Sequence, residues 1–209
     1  ADIKAALRSP RMLAMATLTA TIITFNWGIY VWAIGAGRAI ETALGYYINP
    51  LFSIFLGAVL LKEKLDRAQI LAIGFAALAV AILAFDAGGL PWVSIGLCIS
   101  WGFYAFFRKT LPIGPNQGFF LEVLLLSVPA IGYILWLESS GRGHFGDTGL
   151  ADVLWLLASG LVTAIPLMIY ANGAKLLRLS TIGIMQYIAP TMIFLIAVFA
   201  FNEPLGKTK

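Results

Sequence analysis

The chain has 209 residues, 60% of them hydrophobic and only 11% charged, with a mean hydropathy of +0.90. A soluble domain carries about 25% charged residues, so this chain lacks the polar surface to face water on all sides and reads as an integral membrane protein. The net charge of +4 and pI near 9.3 do not point to nucleic acid, because the basic residues lie singly or in small groups between apolar runs, as in membrane loops.

A bilayer-crossing helix needs about 17–25 mostly apolar residues. In chain order seven such runs occur, at roughly 12–34, 43–61, 68–85, 91–107, 119–137, 153–172 and 181–201. Short breaks such as "KEKLDR", "DAGGLP" and "ESSGRGHFGDTG" separate them and carry turn or charge signals. Backbone polar groups within lipid must pair internally, so the runs are predicted to be helices. They lack the polar residue at every second position that barrel strands would show. Cys98, the single cysteine, lies inside an apolar run and has no partner for an internal disulfide. Residue 1 is Ala and no signal-peptide pattern opens the chain, so the natural start is expected upstream. If all seven runs cross, the side holding the N-terminal tail collects ten Lys and Arg, and the other side collects Arg38, Arg142, Lys207 and Lys209. That asymmetry predicts a cytoplasmic residue-1 end.

Shifting the chain by 140 residues aligns "YINP" at 47–50 with "YIAP" at 187–190, and "KEKL" at 62–65 with "NEPL" at 202–205. Ile29, Tyr30 and Arg38 fall on Ile169, Tyr170 and Arg178, giving eight identities in 42 ungapped positions. The first run thus matches the sixth and the second matches the seventh. Five is an odd spacing, so the two copies are expected to face opposite ways across the membrane, as in many secondary transporters. The same register predicts counterparts of runs four and five before residue 1, and one of run three after residue 209. The expectation is therefore a ten-helix protein of which spans three to nine are present. Residues 1–87 would be the last three helices of the first repeat, and 88–209 the first four of the second.

The stretches "NWGIYVWAIGAGRAIETALGYYINPLFSIFLGAVLLKEKL" and "RLSTIGIMQYIAPTMIFLIAVFAFNEPL" resemble the RarD-type permeases of the EamA group, in the drug/metabolite transporter superfamily. The most specific parts are Asn26-Trp27, the Gly-Tyr-x-Ile-Asn-Pro at 45–50 and the Gln-Tyr-Ile-x-Pro at 186–190. The resemblance covers essentially the whole chain. It implies an all-α membrane fold of ten helices in two inverted halves, both termini cytoplasmic, around a central substrate cavity. RarD proteins are commonly labelled chloramphenicol-sensitivity or chloramphenicol-resistance permeases. The first two helices and the last one of that family pattern are absent here.

A residue lining a path through lipid must be polar or helix-breaking and face the bundle interior. Thr42, Tyr46, Asn49 and Ser53 fall on one helical face. Pro50 frees the carbonyl of Tyr46, and Asn49-Pro50 is expected to break the second span where a solute would sit. Gln186, Tyr187 and Pro190 supply the matching features in the seventh span. Asn26, Trp27 and Tyr30 in the first span, Tyr170 in the sixth, and Trp101 and Tyr104 in the fourth complete the expected cavity lining. Glu122 is the one acid within the predicted spans. It is either a proton-coupling carboxylate or a first-turn residue favoured by the helix dipole. Glu63, Glu203, Arg38 and Arg178 recur by the repeat and read as residues that fix helix ends.

The leading reading is a secondary transporter of small organic solutes in the bacterial inner membrane, exporting by alternating access, with lipid and solute as partners and a homodimer left open. No cofactor, metal or enzymatic activity is expected. An intramembrane enzyme would need a nucleophile with its base or a metal set, and the one histidine, His144, falls in a loop. A seven-helix retinal receptor would need a lysine in its last span, which 181–201 lacks. Without a Gly-rich phosphate loop, ATP is not the expected energy source.

Overall fold

The computed structural model describes residues 7–86, 92–143, 149–188, 191–192 and 199. Among them there are seven helices and no strand: α1 (Pro10–Gly35), α2 (Ala39–Leu60), α3 (Arg67–Asp86), α4 (Trp92–Thr110), α5 (Pro115–Ser139), α6 (Leu150–Leu176) and α7 (Leu179–Met185). Four segments are long and apolar enough to cross a bilayer: Pro10–Gly35, Glu41–Leu60, Pro115–Ser139 and Leu150–Leu176. Outward faces of the helices stay apolar, with Phe75 of α3 74% exposed and Trp155 of α6 77% exposed. A water-facing surface would place charge there; a lipid-facing one places hydrocarbon. The chain is an all-α membrane protein.

The helix ends follow local chemistry. Helix α5 begins at Pro115, one turn earlier than the hydropathy pattern predicts. Gly114 is extended (φ −59°, ψ 149°) and Pro115 sits at the first helical position, where its missing N–H costs nothing. Helix α2 runs unbroken through Pro50, which corrects the expectation of a helix break at Asn49-Pro50. A proline deletes one backbone hydrogen bond, and in a bundle the flanking turns and neighbouring helices keep the helix continuous. Pro129 and Pro166 are carried inside α5 and α6 in the same way. The predicted seventh span is described chiefly in its first turns, and α7 ends at Met185, where Gln186 and Tyr187 form a turn.

The chain forms two compact units, one of residues 1–21 with 107–176, the other of residues 22–106 with 177–209. In the first, Ala16, Leu111, Ile113 and Leu121 form the apolar core, with Met12, Met15 and Leu125 against it. Beside this core Arg108 Nη1 meets Glu122 Oε1 at 3.4 Å, and Arg108 Nη2 donates to the Pro115 carbonyl at 2.8 Å. Both side chains are almost wholly buried. Lys109 and Lys175 close the same corner, Lys109 donating to the Ala174 carbonyl and Lys175 to the carbonyls of Lys109 and Leu111.

In the second unit Ala33, Val93 and Leu97 are fully buried with Ile29 and Tyr30 against them, joining α1 to α4. Helix α2 makes its most extensive packing with α7. Arg38, in the turn before α2, pairs with Glu41 at 2.6 Å and lies over the Trp92 ring at 4.8 Å, so the turn is held by charge and by a cation–π contact.

Glu122→Ala leaves the Arg108 guanidinium buried without its counter-charge, and the expected loss of stability is about 3–5 kcal/mol. Replacing Arg108 and Glu122 together by Met and Leu should recover most of it. Thermal unfolding of the detergent-purified protein measures both.

Candidate functional site

The site is built from the end of α2 upward. Lys62 takes a left-handed φ of +55°, and the Glu63 N–H then returns to the Gly57 carbonyl at 3.0 Å. This six-residue closure turns Glu63 back over the last turn of α2. Its carboxylate accepts hydrogen bonds from the N–H of Leu179 (2.8 Å), the N–H of Ser180 (2.9 Å) and the Ser180 hydroxyl (2.7 Å). A carboxylate so placed satisfies free donors at the start of α7. Gly57 makes the approach feasible, since a Cβ there would lie 2.9 Å from Glu63 Oε2 and 3.2 Å from the Ser180 nitrogen. Arg178 reaches back to the Lys64 carbonyl at 3.4 Å. The Lys-Glu-Lys stop thus fastens the second span to the seventh.

From this fastening α7 runs along α2. At Gly183 the helices are in close contact: a Cβ there would stand 2.8 Å from the Pro50 carbonyl and 2.8 Å from Ile54 Cγ1. One turn on, the Tyr187 hydroxyl donates to the Tyr47 carbonyl at 3.1 Å, and these two tyrosines are 140 positions apart. They are the two positions that the 140-residue shift of the sequence aligns.

Between these contacts lie polar side chains that the protein leaves unpaired. Asn49 is 4% exposed and Ser53 0%. Asn49 Oδ1, Ser53 Oγ and both polar atoms of the Gln186 amide are buried without a hydrogen-bond partner. Each such atom costs on the order of 1–3 kcal/mol when it stays unsatisfied. Asn49 and Ser53 lie on α2 and Gln186 in the turn that follows α7, and a polar ligand is one way such atoms are satisfied.

The other expected lining residues are distributed differently. Asn26 is buried, with Nδ2 donating to the Leu97 carbonyl (3.1 Å) and to Ser100 Oγ (2.8 Å). It staples α1 to α4. Tyr46 departs from the buried face of Thr42, Asn49 and Ser53: it is 46% exposed and edge-on to Tyr30 at 6.0 Å. Trp27 is also exposed and packs against Tyr30. Trp101 and Tyr104 pack ring against ring at 5.8 Å, with Tyr104 buried. Tyr170 and Glu122 belong to the other unit, where the ion pair with Arg108 gives Glu122 a structural task two turns into α5. Pro190 lies outside the described residues, as do Glu203 and His144. An open apolar cleft of about 430 Å³ lies elsewhere, walled by Thr24, Phe25, Gly28, Ile29, Trp32 and Trp92, and none of the unpaired amides lines it.

Comparison with known proteins identifies the family. Residues 2–85 match the model of the EamA-like transporter family. The chain is 37% identical over 208 residues to the protein RarD of Salmonella typhi, covering all of this chain and 71% of that protein. The chain is a RarD-type member of the EamA-like transporter family. It is 41% identical over 203 residues to RarD of Streptomyces exfoliatus, covering 97% of this chain. An uncharacterized transporter of Bacillus subtilis, YojE, is 41% identical over 195 residues. The chain spans 64% of the length of each of these last two relatives. No solved structure matches it. The family model and YojE carry the name transporter.

Glu63→Ala removes the acceptor of three hydrogen bonds at the start of α7, and the expected cost is about 2–4 kcal/mol. Glu63→Gln keeps one acceptor oxygen and should cost less. Gly57→Val forces the two helices apart and should match the alanine variant at position 63. Denaturation midpoints of the purified variants measure all three.

Proposed function

We propose that the protein is a secondary transporter that moves small organic solutes across the bacterial inner membrane, outward, by alternating access between two inverted halves. The observation that carries this reading is the set of unpaired, uncharged polar atoms on Asn49, Ser53 and Gln186, on the segments that the Tyr187–Tyr47 hydrogen bond joins. A solute arriving from either side would meet the same kind of surface, because the two helices are copies of one pattern. In such an arrangement two near-equivalent packings exchange to open the site alternately to each side. The excess of Lys and Arg on one side of the predicted spans supports a cytoplasmic residue-1 end.

The remaining roles follow. Pro50 frees the Tyr46 carbonyl within α2 as a further acceptor near the cluster. Glu63 and Arg178 hold the membrane-edge end of α7. Asn26, Tyr104 and the Arg38–Glu41 pair set the frame around the site rather than line it.

The test is an efflux profile of cells producing the full-length protein, compared with cells producing Asn49→Ala or Gln186→Ala. Compounds that leave the cytoplasm faster with the unaltered protein are expected, and each variant should slow their export by roughly tenfold, a loss of about 1.4 kcal/mol. Export equal to that of empty cells for every compound would contradict outward transport.

A further inference from the structure

The reading of Asn49, Ser53 and Gln186 as the solute site leaves the kind of solute open, and their chemistry narrows it. Asn and Gln side chains and a Ser hydroxyl carry no charge at neutral pH. A solute bearing net charge would enter this low-dielectric crossing of α2 and α7 and find no opposite charge on any of these side chains, which strongly disfavours it. The unpaired atoms are an acceptor on Asn49, a donor and an acceptor on the one planar group of Gln186, and a hydroxyl on Ser53 that serves as either. A planar donor–acceptor pair is matched two bonds at a time by another planar group with N–H and C=O side by side. Primary carboxamides, lactams and ureas have that shape, whereas a trans peptide group points its N–H and C=O to opposite sides. A hydroxyl matches one atom at a time.

Resting on the transport reading, we infer that the α2–α7 crossing selects small uncharged solutes that carry an amide or ureido group, held by Gln186 with Asn49 and Ser53. Leaving these groups unmatched would strand buried donors and acceptors, so a site of this kind discriminates against solutes that lack the complementary amide.

The test is uptake into proteoliposomes containing the purified full-length protein, using radiolabelled probes of similar size: N-acetylglycinamide, its acid N-acetylglycine, its amine glycinamide, and erythritol as an uncharged polyol. The unaltered protein is expected to move N-acetylglycinamide, with the other three slower by about tenfold or more. Gln186→Glu places a negative charge in the site and should reverse the order, slowing N-acetylglycinamide and accelerating glycinamide. Ser53→Ala, a change of one hydroxyl, should slow N-acetylglycinamide severalfold while leaving N-acetylglycine excluded, and it covers the case in which the Glu variant does not fold. Movement of N-acetylglycine, glycinamide or erythritol at the rate of the amide overturns the inferred class and leaves the transport reading intact. Failure of all four probes, together with an efflux profile equal to that of empty cells, overturns the transport reading and this inference with it.

Discussion

A polar group inside a bilayer must find its partner within the protein, and at the membrane-edge end of the junction of α2 with α7 one side chain meets that demand for several donors at once. One carboxylate, Glu63, takes three donors at the start of α7. Its position depends on the left-handed turn at Lys62 and on the absence of a side chain at Gly57. With that end fastened, Gly183 can lie against the Pro50 carbonyl, and Tyr187 can reach Tyr47. The rest of the second unit is arranged around this crossing, with Asn26 bonding α1 to α4 and Ser94 donating to the Glu41 carbonyl to bring α4 against α2.

The contrast between satisfied and unsatisfied polar groups separates structure from function. Asn26, Glu63, Arg108 and Ser94 are each paired at short distance, so they contribute to holding helices together. Asn49 Oδ1, Ser53 Oγ and the Gln186 amide are enclosed and yet unpaired, a state that lowers stability unless something else occupies those bonds. Transporters need binding that is specific but reversible. In the proposed reading, neutral amides and a hydroxyl would hold a solute through a few hydrogen bonds without the deep well that an unshielded ion pair would create.

Much of the fold is legible in the sequence because hydropathy and length dominate in lipid. The predicted runs coincide with α1 to α6 to within a few residues, and the differences arise where local turn chemistry, such as Gly114-Pro115, overrides hydropathy. The repeat anticipated that residues 47 and 187 correspond, and the structure sets them in contact. Side-chain partners were less readable. Pro50 reads as a break when taken alone, but a helix braced by α7 continues through it. Helical spacing places Tyr46 with Asn49, yet its bulk points it out to Tyr30 while the smaller Thr42, Asn49 and Ser53 stay inside. Asn26 looks like a lining residue until Ser100 and the Leu97 carbonyl, more than seventy positions away, are found to claim it. Glu63 gave a signal through its recurrence at 203, but only the three-dimensional return of the chain reveals which donors it serves.

The central claim is that the faces of α2 and α7 meet around Pro50, Ile54 and Gly183, and that solute passes there. A disulfide between these faces tests it most directly. In full-length protein with Cys98→Ser, the pair Ile54→Cys and Gly183→Cys would put one sulfur close to where Ile54 Cγ1 now stands, 2.8 Å from the position a Cβ takes at 183. Solute movement in proteoliposomes would be measured after mild oxidation and again after reduction. The account predicts that the disulfide forms, stops transport, and releases it on reduction, while either single-cysteine variant is unaffected by oxidant. A disulfide that forms and leaves transport unchanged, or cysteines that never link in active protein, would contradict it.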